Sequence, residues 1–265
     1  MNERIVMKFG GASMAKVSLF APLAALIEER LKTFAQIVVV VSAMGETTDE
    51  LLELAYVVHP NPPKREQDML ITAGERVSIA LLAMALDYRG IKAISFTGSQ
   101  SGIITTSEHS QAKIIEVRPY RIEKALEEKK VAIVAGFQGM SVDKEITTLG
   151  RGGSDTSAVA LAVALNAKRV EFYKDVPGIG EDNPKTHPDT PIFSHLTYDG
   201  ALDIIGKGAE VLHHNALLLA KEKGIELQIR PFQSPETVGT VIAHEHCQVG
   251  SQAEQTQALC GMSKE

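Results

Sequence analysis

The run Ile37-Val38-Val39-Val40-Val41 constrains the fold more than any other segment. Five consecutive β-branched residues cannot alternate between core and water. They read as a strand buried on both faces, which is the signature of a parallel sheet covered by helices on each side. Short apolar runs recur at Ile5 to Phe9, Ala93 to Phe96, Val131 to Ala135, Val170 to Tyr173 and Ile225 to Ile229, with Thr240 to Ala243 as a last edge strand. Helical patterns separate them, at about Ser18 to Phe34, Asp49 to Val58, Gln67 to Tyr88, Pro119 to Lys129, Asp155 to Leu165, Thr197 to Ile205 and Asn215 to Lys223. This alternation predicts an α/β protein with a largely parallel sheet. Gly102 to Thr106 reads as an excursion on one edge, and the stretch from His244 onward is polar and expected to fray.

Composition narrows the function. Of 265 residues 44% are hydrophobic, with no Trp, so Ala, Val, Ile and Leu must build the core. A net charge of -6 without a basic block argues against nucleic acid as a partner. The two cysteines, Cys247 and Cys260, lie in the polar C-terminal stretch, which fits a reduced cytosolic setting without a disulfide framework or zinc site. No signal-peptide pattern opens the chain, and no apolar run reaches the length needed to cross a membrane. The expectation is a soluble cytoplasmic protein acting on small molecules.

Four segments carry residue types suited to chemistry. Lys8-Phe9-Gly10-Gly11-Ala12-Ser13 follows a strand, so backbone N–H groups and one ammonium are offered together to a phosphate; two glycines there also serve as a plain turn. In Thr148 to Thr156, Ser154 and Asp155 suit a helix N-cap, but a cap does not explain Arg151 among Gly150, Gly152 and Gly153. A guanidinium there suits a bidentate grip on a carboxylate. Glu75, in Gly74-Glu75-Arg76, is either an ordinary helix carboxylate or an ammonium-binding group, depending on its neighbours in space. Lys174 to Gly180 follows a strand, where α/β sheets bind ligands, although a Pro-Gly turn accounts for it too. His213-His214, His244 and His246 lack metal-ligand spacing and read as surface or capping residues.

In this order the segments resemble the aspartate kinases of the amino-acid kinase family. The match also takes in Val41 to Asp49 and Ala135-Gly136-Phe137-Gln138-Gly139 and runs to the Gly239 to Ile242 strand; Thr147 to Thr156 is its most specific part. The resemblance implies a three-layer αβα sandwich with a mainly parallel central sheet. Residues 1–243 would form the catalytic domain, with an amino-acid lobe to about residue 168 and a nucleotide lobe over 169–243. The implied reaction is transfer of a phosphoryl group from ATP, with Mg²⁺, to L-aspartate, giving 4-phospho-L-aspartate on the route to lysine, threonine and methionine. Lys8 and Asp155 would be catalytic. Ser42, Thr47, Glu75, Arg151, Gly152, Gly153 and Ser154 would hold the amino acid. Lys8, Gly10, Gly11, Lys174, Asp175, Gly180 and Lys185 would hold the nucleotide. A homodimer is implied as well.

The chain also departs from that pattern. Lys174 stands where the family has Thr or Ser, Gly180 where it has an aromatic residue, and Asn183-Pro184-Lys185 where it has Asp-Pro-Arg. Glu210 and His214 replace a Lys and a Pro; a carboxylate at 210 would repel phosphates, with Lys207 or Lys174 as stand-ins. The family's C-terminal ACT domains would begin near Gln257 to Met262, so a catalytic unit without them, insensitive to lysine and threonine, is expected. Two further readings are a glutamate 5-kinase-like acyl-phosphate kinase and a non-catalytic regulatory homologue that binds nucleotide or amino acid.

Overall fold

The computed structural model describes residues 3–187, 189–209 and 211–244. In chain order the elements are β1 (Arg4–Phe9), α1 (Phe20–Leu31), β2 (Gln36–Val41), α2 (Thr47–Val58), α3 (Lys64–Ile71), α4 (Ala73–Tyr88), β3 (Ala93–Phe96), β4 (Ile103–Thr105), β5 (Ile114–Val117) and α5 (Tyr120–Glu127). They continue as β6 (Val131–Ala135), β7 (Gln138–Ser141), β8 (Ile146–Thr148), α6 (Gly153–Ala164), β9 (Arg169–Lys174), β10 (His195–Leu196), α7 (Tyr198–Gly206), α8 (His214–Lys223), β11 (Glu226–Pro231) and β12 (Thr240–Ile242).

Eight strands form the central sheet in the order β10-β12-β11-β9-β1-β2-β6-β3. All neighbours run parallel except β11 and β12. The valine run behaves as its composition requires. Val38 and Val40 join one core with Val6, Phe172 and residues of α5, α6, α7 and α8, while Ile37, Val39 and Val41 join the other with Ile5, Met7, Phe9 and residues of α1 and α4. The result is the αβα sandwich that the alternation and the resemblance implied. One sheet runs unbroken through both proposed lobes, because β9 pairs with β1 from Val6↔Val170 to Phe9↔Tyr173.

Three expectations are corrected. Gly102 to Thr106 is no edge excursion: β4 belongs to a separate four-stranded sheet, β5-β4-β7-β8. Its strands are three or four residues long, too short to show a period of two. The helix from Gln67 begins earlier, at Lys64 after Pro63, and is interrupted at Thr72. There the Thr72 carbonyl accepts a hydrogen bond from Gln138 Nε2 (3.2 Å). The combined stretch Lys64–Tyr88 is, by length and composition only, long and apolar enough to cross a membrane. Here it serves as a core helix pair, because α4 buries Glu75, Ser78, Ile79, Leu82 and Leu86. The residues 245–265, with Cys247, Cys260 and His246, lie outside those described.

A buried charge cluster ties the sheet to α1. Glu171 of β9 is fully buried and is met by Arg30 of α1, Arg169 (2.8 Å) and Arg230 of β11 (3.7 Å), with the Tyr173 hydroxyl donating at 2.8 Å. Burial opposes ionisation of Glu171, but Arg230 and Arg30 outweigh it and hold the carboxyl below its ordinary range. Removing one partner of such a cluster leaves uncompensated buried charge. Glu171→Ala is therefore expected to cost about 3–5 kcal/mol. Urea unfolding checks this, and a midpoint equal to wild type contradicts it.

Candidate active site

The parallel strands β1, β2, β6 and β9 end on one edge of the sheet, and their following loops converge there. Ser42 N–H donates to the Phe9 carbonyl (3.2 Å), Gly45 N–H to Gly11 (3.1 Å) and Gly136 N–H to Val41 (2.9 Å). These bonds close the Gly10-Gly11 turn against the loop after β2. Strand alternation places Lys8 on the same sheet face as Val6, which is the face covered by α6. Its ammonium meets Asp155 Oδ1, in the first turn of α6, at 2.6 Å. Lys174, on the matching face of β9, reaches Asp155 Oδ2 at 3.4 Å. One carboxylate is thus shared by two ammonium groups.

Burial acts on Asp155 and Lys174 in opposite directions. It raises the Asp155 pKa, but Lys174 and Lys8 overcome that and bring it to about 2. Burial lowers Lys174 to about 8, with Lys8 adding to the shift and Asp155 opposing it.

Two clefts meet at this trio. The larger, of about 480 Å³, is lined by Lys8, Gly11, Ser42, Glu75, Arg151, Gly152, Gly153, Ser154 and Asp155, among others. The smaller, of about 110 Å³, is lined by Lys174, Asp175, Gly180 and Lys185 with Val176, Ile179 and Val211. Asp155 belongs to the first cleft and its partner Lys174 to the second. Gly10 lies beside the first, with the Lys8 ammonium 3.6 Å from where a Cβ on it would stand. Lys185 pairs with Asp175 at 2.7 Å, and Gly180 bridges to Ile192.

Glu75 is nearly inaccessible. Its Oε1 accepts from Ala43 N–H at 3.1 Å, while Oε2 is buried without a hydrogen-bond partner among the described residues. Burial drives its pKa up from the ordinary 4.5 to about 7. An unsatisfied carboxylate oxygen lining a cleft is chemically suited to a cationic ligand group. Arg151 is exposed in the same cleft.

Several placements differ from expectation. Ser154 and Asp155 do not cap α6; the cap position is Gly152, at φ 71°. A side chain at 152 would also collide with the His213 ring, 2.0 Å from its Cγ. Thr47 is not in the cleft wall. As the first residue of α2 it packs toward Gly74, and Thr48, Asp49, Leu52 and Tyr56 line the cleft instead. His213 is more than a surface cap: its N–H donates to Asp155 Oδ2 (3.4 Å), and its Nδ1 is buried with no described partner. His214 is exposed. Glu210 lies outside the described residues. Sequence reading also missed Asp68, buried beneath the cleft wall. Its spacing of seven residues from Glu75, two helical turns along a nearly continuous helix, was the available signal.

The raised pKa of Glu75 has a consequence for stability. The folded protein holds its proton up to about pH 7, whereas the unfolded chain releases it near 4.5, so this group's contribution falls as pH rises through that window. The full loss is on the order of 3 kcal/mol. Glu75→Gln is expected to remove it, giving a flatter stability curve than wild type between pH 4.5 and 8. Parallel denaturation curves for the two proteins across that range would contradict the burial argument.

The amino acid kinase family model matches residues 3–231. An aspartokinase of Bacillus sp. (strain MGA3) is 47% identical over 241 residues, which is 91% of this chain and 58% of that protein. The aspartate kinase from Synechocystis superposes with a TM-score of 0.81 at 44% identity, covering 94% of this chain and 41% of the other. E. coli aspartokinase III, solved with aspartate and ADP, gives 0.79 at 25% identity, covering 91% and 64%. The chain thus spans less than three fifths of the length of the curated relatives it matches. On its residues 3–231, the chain belongs to the amino acid kinase family.

Proposed function

We propose that this chain transfers the γ-phosphoryl group of ATP to the side-chain carboxylate of L-aspartate, forming 4-phospho-L-aspartate and ADP. The observation that carries the reading is the large cleft, which an unsatisfied Glu75 oxygen and the Arg151 guanidinium line together with the Lys8–Asp155 pair. An α-amino acid carries one ammonium and one α-carboxylate, which these two groups complement. Its remaining carboxylate is then presented to Lys8. The similarity to aspartokinases, one of them solved with aspartate and ADP, supports the same substrates.

The reaction brings two anions together and asks for little proton chemistry. A carboxylate oxygen of the substrate forms a bond to the γ-phosphorus as the bond to the β,γ-bridging oxygen breaks, and ADP departs with that electron pair. The protein's task is alignment and neutralisation of charge on the transferring oxygens. Lys8 supplies an ammonium at the cleft floor, and Asp155 fixes its position. The first turn of α6 lies in the wall of the same cleft, adding the positive end of a twelve-residue helix. The smaller cleft, at the end of β9, would take the nucleotide, with residues to about 168 forming the amino-acid side and 169–243 the nucleotide side.

Mg²⁺ enters as part of the nucleotide substrate. Among the described residues no three or more His, Cys, Asp or Glu side chains gather into a group that could hold a metal ion. The resemblance implies a homodimer, and the cysteine usage fits a cytosolic setting.

A hydroxamate assay for acyl phosphate, run with aspartate, glutamate and acetylglutamate side by side, tests the reading. Aspartate is expected to give product. Lys8→Ala is expected to lower kcat about 10²-fold or more without unfolding the protein, the scale of a transition-state electrostatic contact. Product from glutamate alone, or near-wild-type turnover in Lys8→Ala, would overturn it.

A further inference from the structure

Asp68 has no place in the chemistry described above, yet it is fully buried in α3. A carboxylate taken out of water is tolerated only when its oxygens are satisfied. Here they are satisfied by two distant segments. Ser110 N–H lies 3.1 Å from Oδ1 and 3.0 Å from Oδ2, the Ser110 hydroxyl 3.4 Å from Oδ1, and His109 Nδ1 3.0 Å from Oδ2. Thr148 gives its N–H to Oδ2 at 3.1 Å and its hydroxyl to Oδ1 at 2.7 Å. Both Ser110 and Thr148 line the large cleft.

The two segments are pressed together by this arrangement. Ser110 adopts φ 69°, an unfavourable region for a residue with a side chain, which persists only where the surroundings impose it. Its carbonyl oxygen stands 3.2 Å from where a Cβ on Gly150 (φ 73°) would be. Ala112 N–H donates to the Thr148 carbonyl at 2.9 Å. Arg151 follows three residues after Thr148, between Gly150 and Gly152, which both have positive φ. Glycines on either side make the backbone there permissive, so where the guanidinium points depends on how firmly Thr148 is held.

We propose that Asp68 is a positioning residue for amino-acid recognition: by clamping Ser110 and Thr148 it fixes the start of the Gly150–Gly152 turn and aims Arg151 at the substrate's α-carboxylate. The proposal rests on the aspartate-binding reading of the cleft. Its signature is a split between kinetic constants, because Arg151 acts in amino-acid binding and not at the transferring phosphoryl group.

The test is a kinetic cycle of Asp68→Asn, Arg151→Ala and the double variant, with aspartate and Mg-ATP varied separately. Asp68→Asn puts an NH₂ where N–H donors point. It is expected to raise KM for aspartate tenfold or more while kcat and KM for ATP stay within about threefold, tenfold corresponding to about 1.4 kcal/mol. In the Arg151→Ala background the same change is expected to add less than twofold. An unchanged aspartate KM, or equal effects in both backgrounds, overturns the proposal. Should Asp68→Asn fail to fold, Thr148→Val removes a single clamp bond and is expected to raise the aspartate KM at least threefold; no rise overturns the proposal. If wild type itself forms no acyl phosphate from aspartate, the reading of the substrate fails, and the clamp is read from amide exchange. Asp68→Asn is then expected to speed exchange at Ser110 and Thr148 at least tenfold, and unchanged rates overturn the clamp as well.

Discussion

A buried carboxylate held between two ammonium groups, Lys8–Asp155–Lys174, is the interaction on which the rest of the site depends. It forms because β1 and β9 are neighbours in the sheet and both lysines fall on the face that α6 covers. Burial alone would favour the neutral forms of Asp155 and Lys174. Attraction to the two lysines keeps Asp155 ionised, while burial, with the neighbouring Lys8 charge adding to it, makes Lys174 easier to discharge than an ordinary lysine. The trio carries one net positive charge at the meeting point of two clefts. An electrostatic surplus in a partly dry site is what a transferring phosphoryl group requires.

Strand β9 shows how one short segment serves both stability and chemistry. Its alternation sends Lys174 to the α6 face and Glu171 to the α1 face. On the α1 side the charges are largely committed. Arg230 also donates to Gln228 and to the Pro235 carbonyl, and Arg30 and Arg169 lie over the Phe34 ring at 4.9 and 5.0 Å. That cluster binds α1, β9 and β11 together. On the α6 side the ammonium groups border open clefts. A closed cluster beneath and an open one above give a rigid base for the loops that must meet ligands.

Much of this was legible in the chain. The valine run dictated a sheet buried on both faces, and the glycine turns after β1 and before α6 marked loops that line the large cleft. Arg151 among glycines stood out because capping could not explain it. The residues that escaped notice act across long sequence distances. Asp68 looks like an ordinary helix acid until segments 42 and 80 residues away donate to it. His213 looks like a cap until its ring is found against Gly152. The small second sheet was hidden because its strands are too short for periodicity to register. Thr47 begins α2 and packs toward Gly74, while Thr48, Asp49, Leu52 and Tyr56 line the cleft.

The shared carboxylate can be examined without reference to turnover. Lysine labelled with ¹³C at Cε, with the Lys174 signal assigned through Lys174→Arg, reports that ammonium's titration by NMR. A midpoint near pH 8 is predicted, moving lower when Asp155→Asn removes the neutralising charge. A Lys174 midpoint near the ordinary 10.5, or one indifferent to the change at Asp155, would contradict a buried carboxylate held between two ammonium groups.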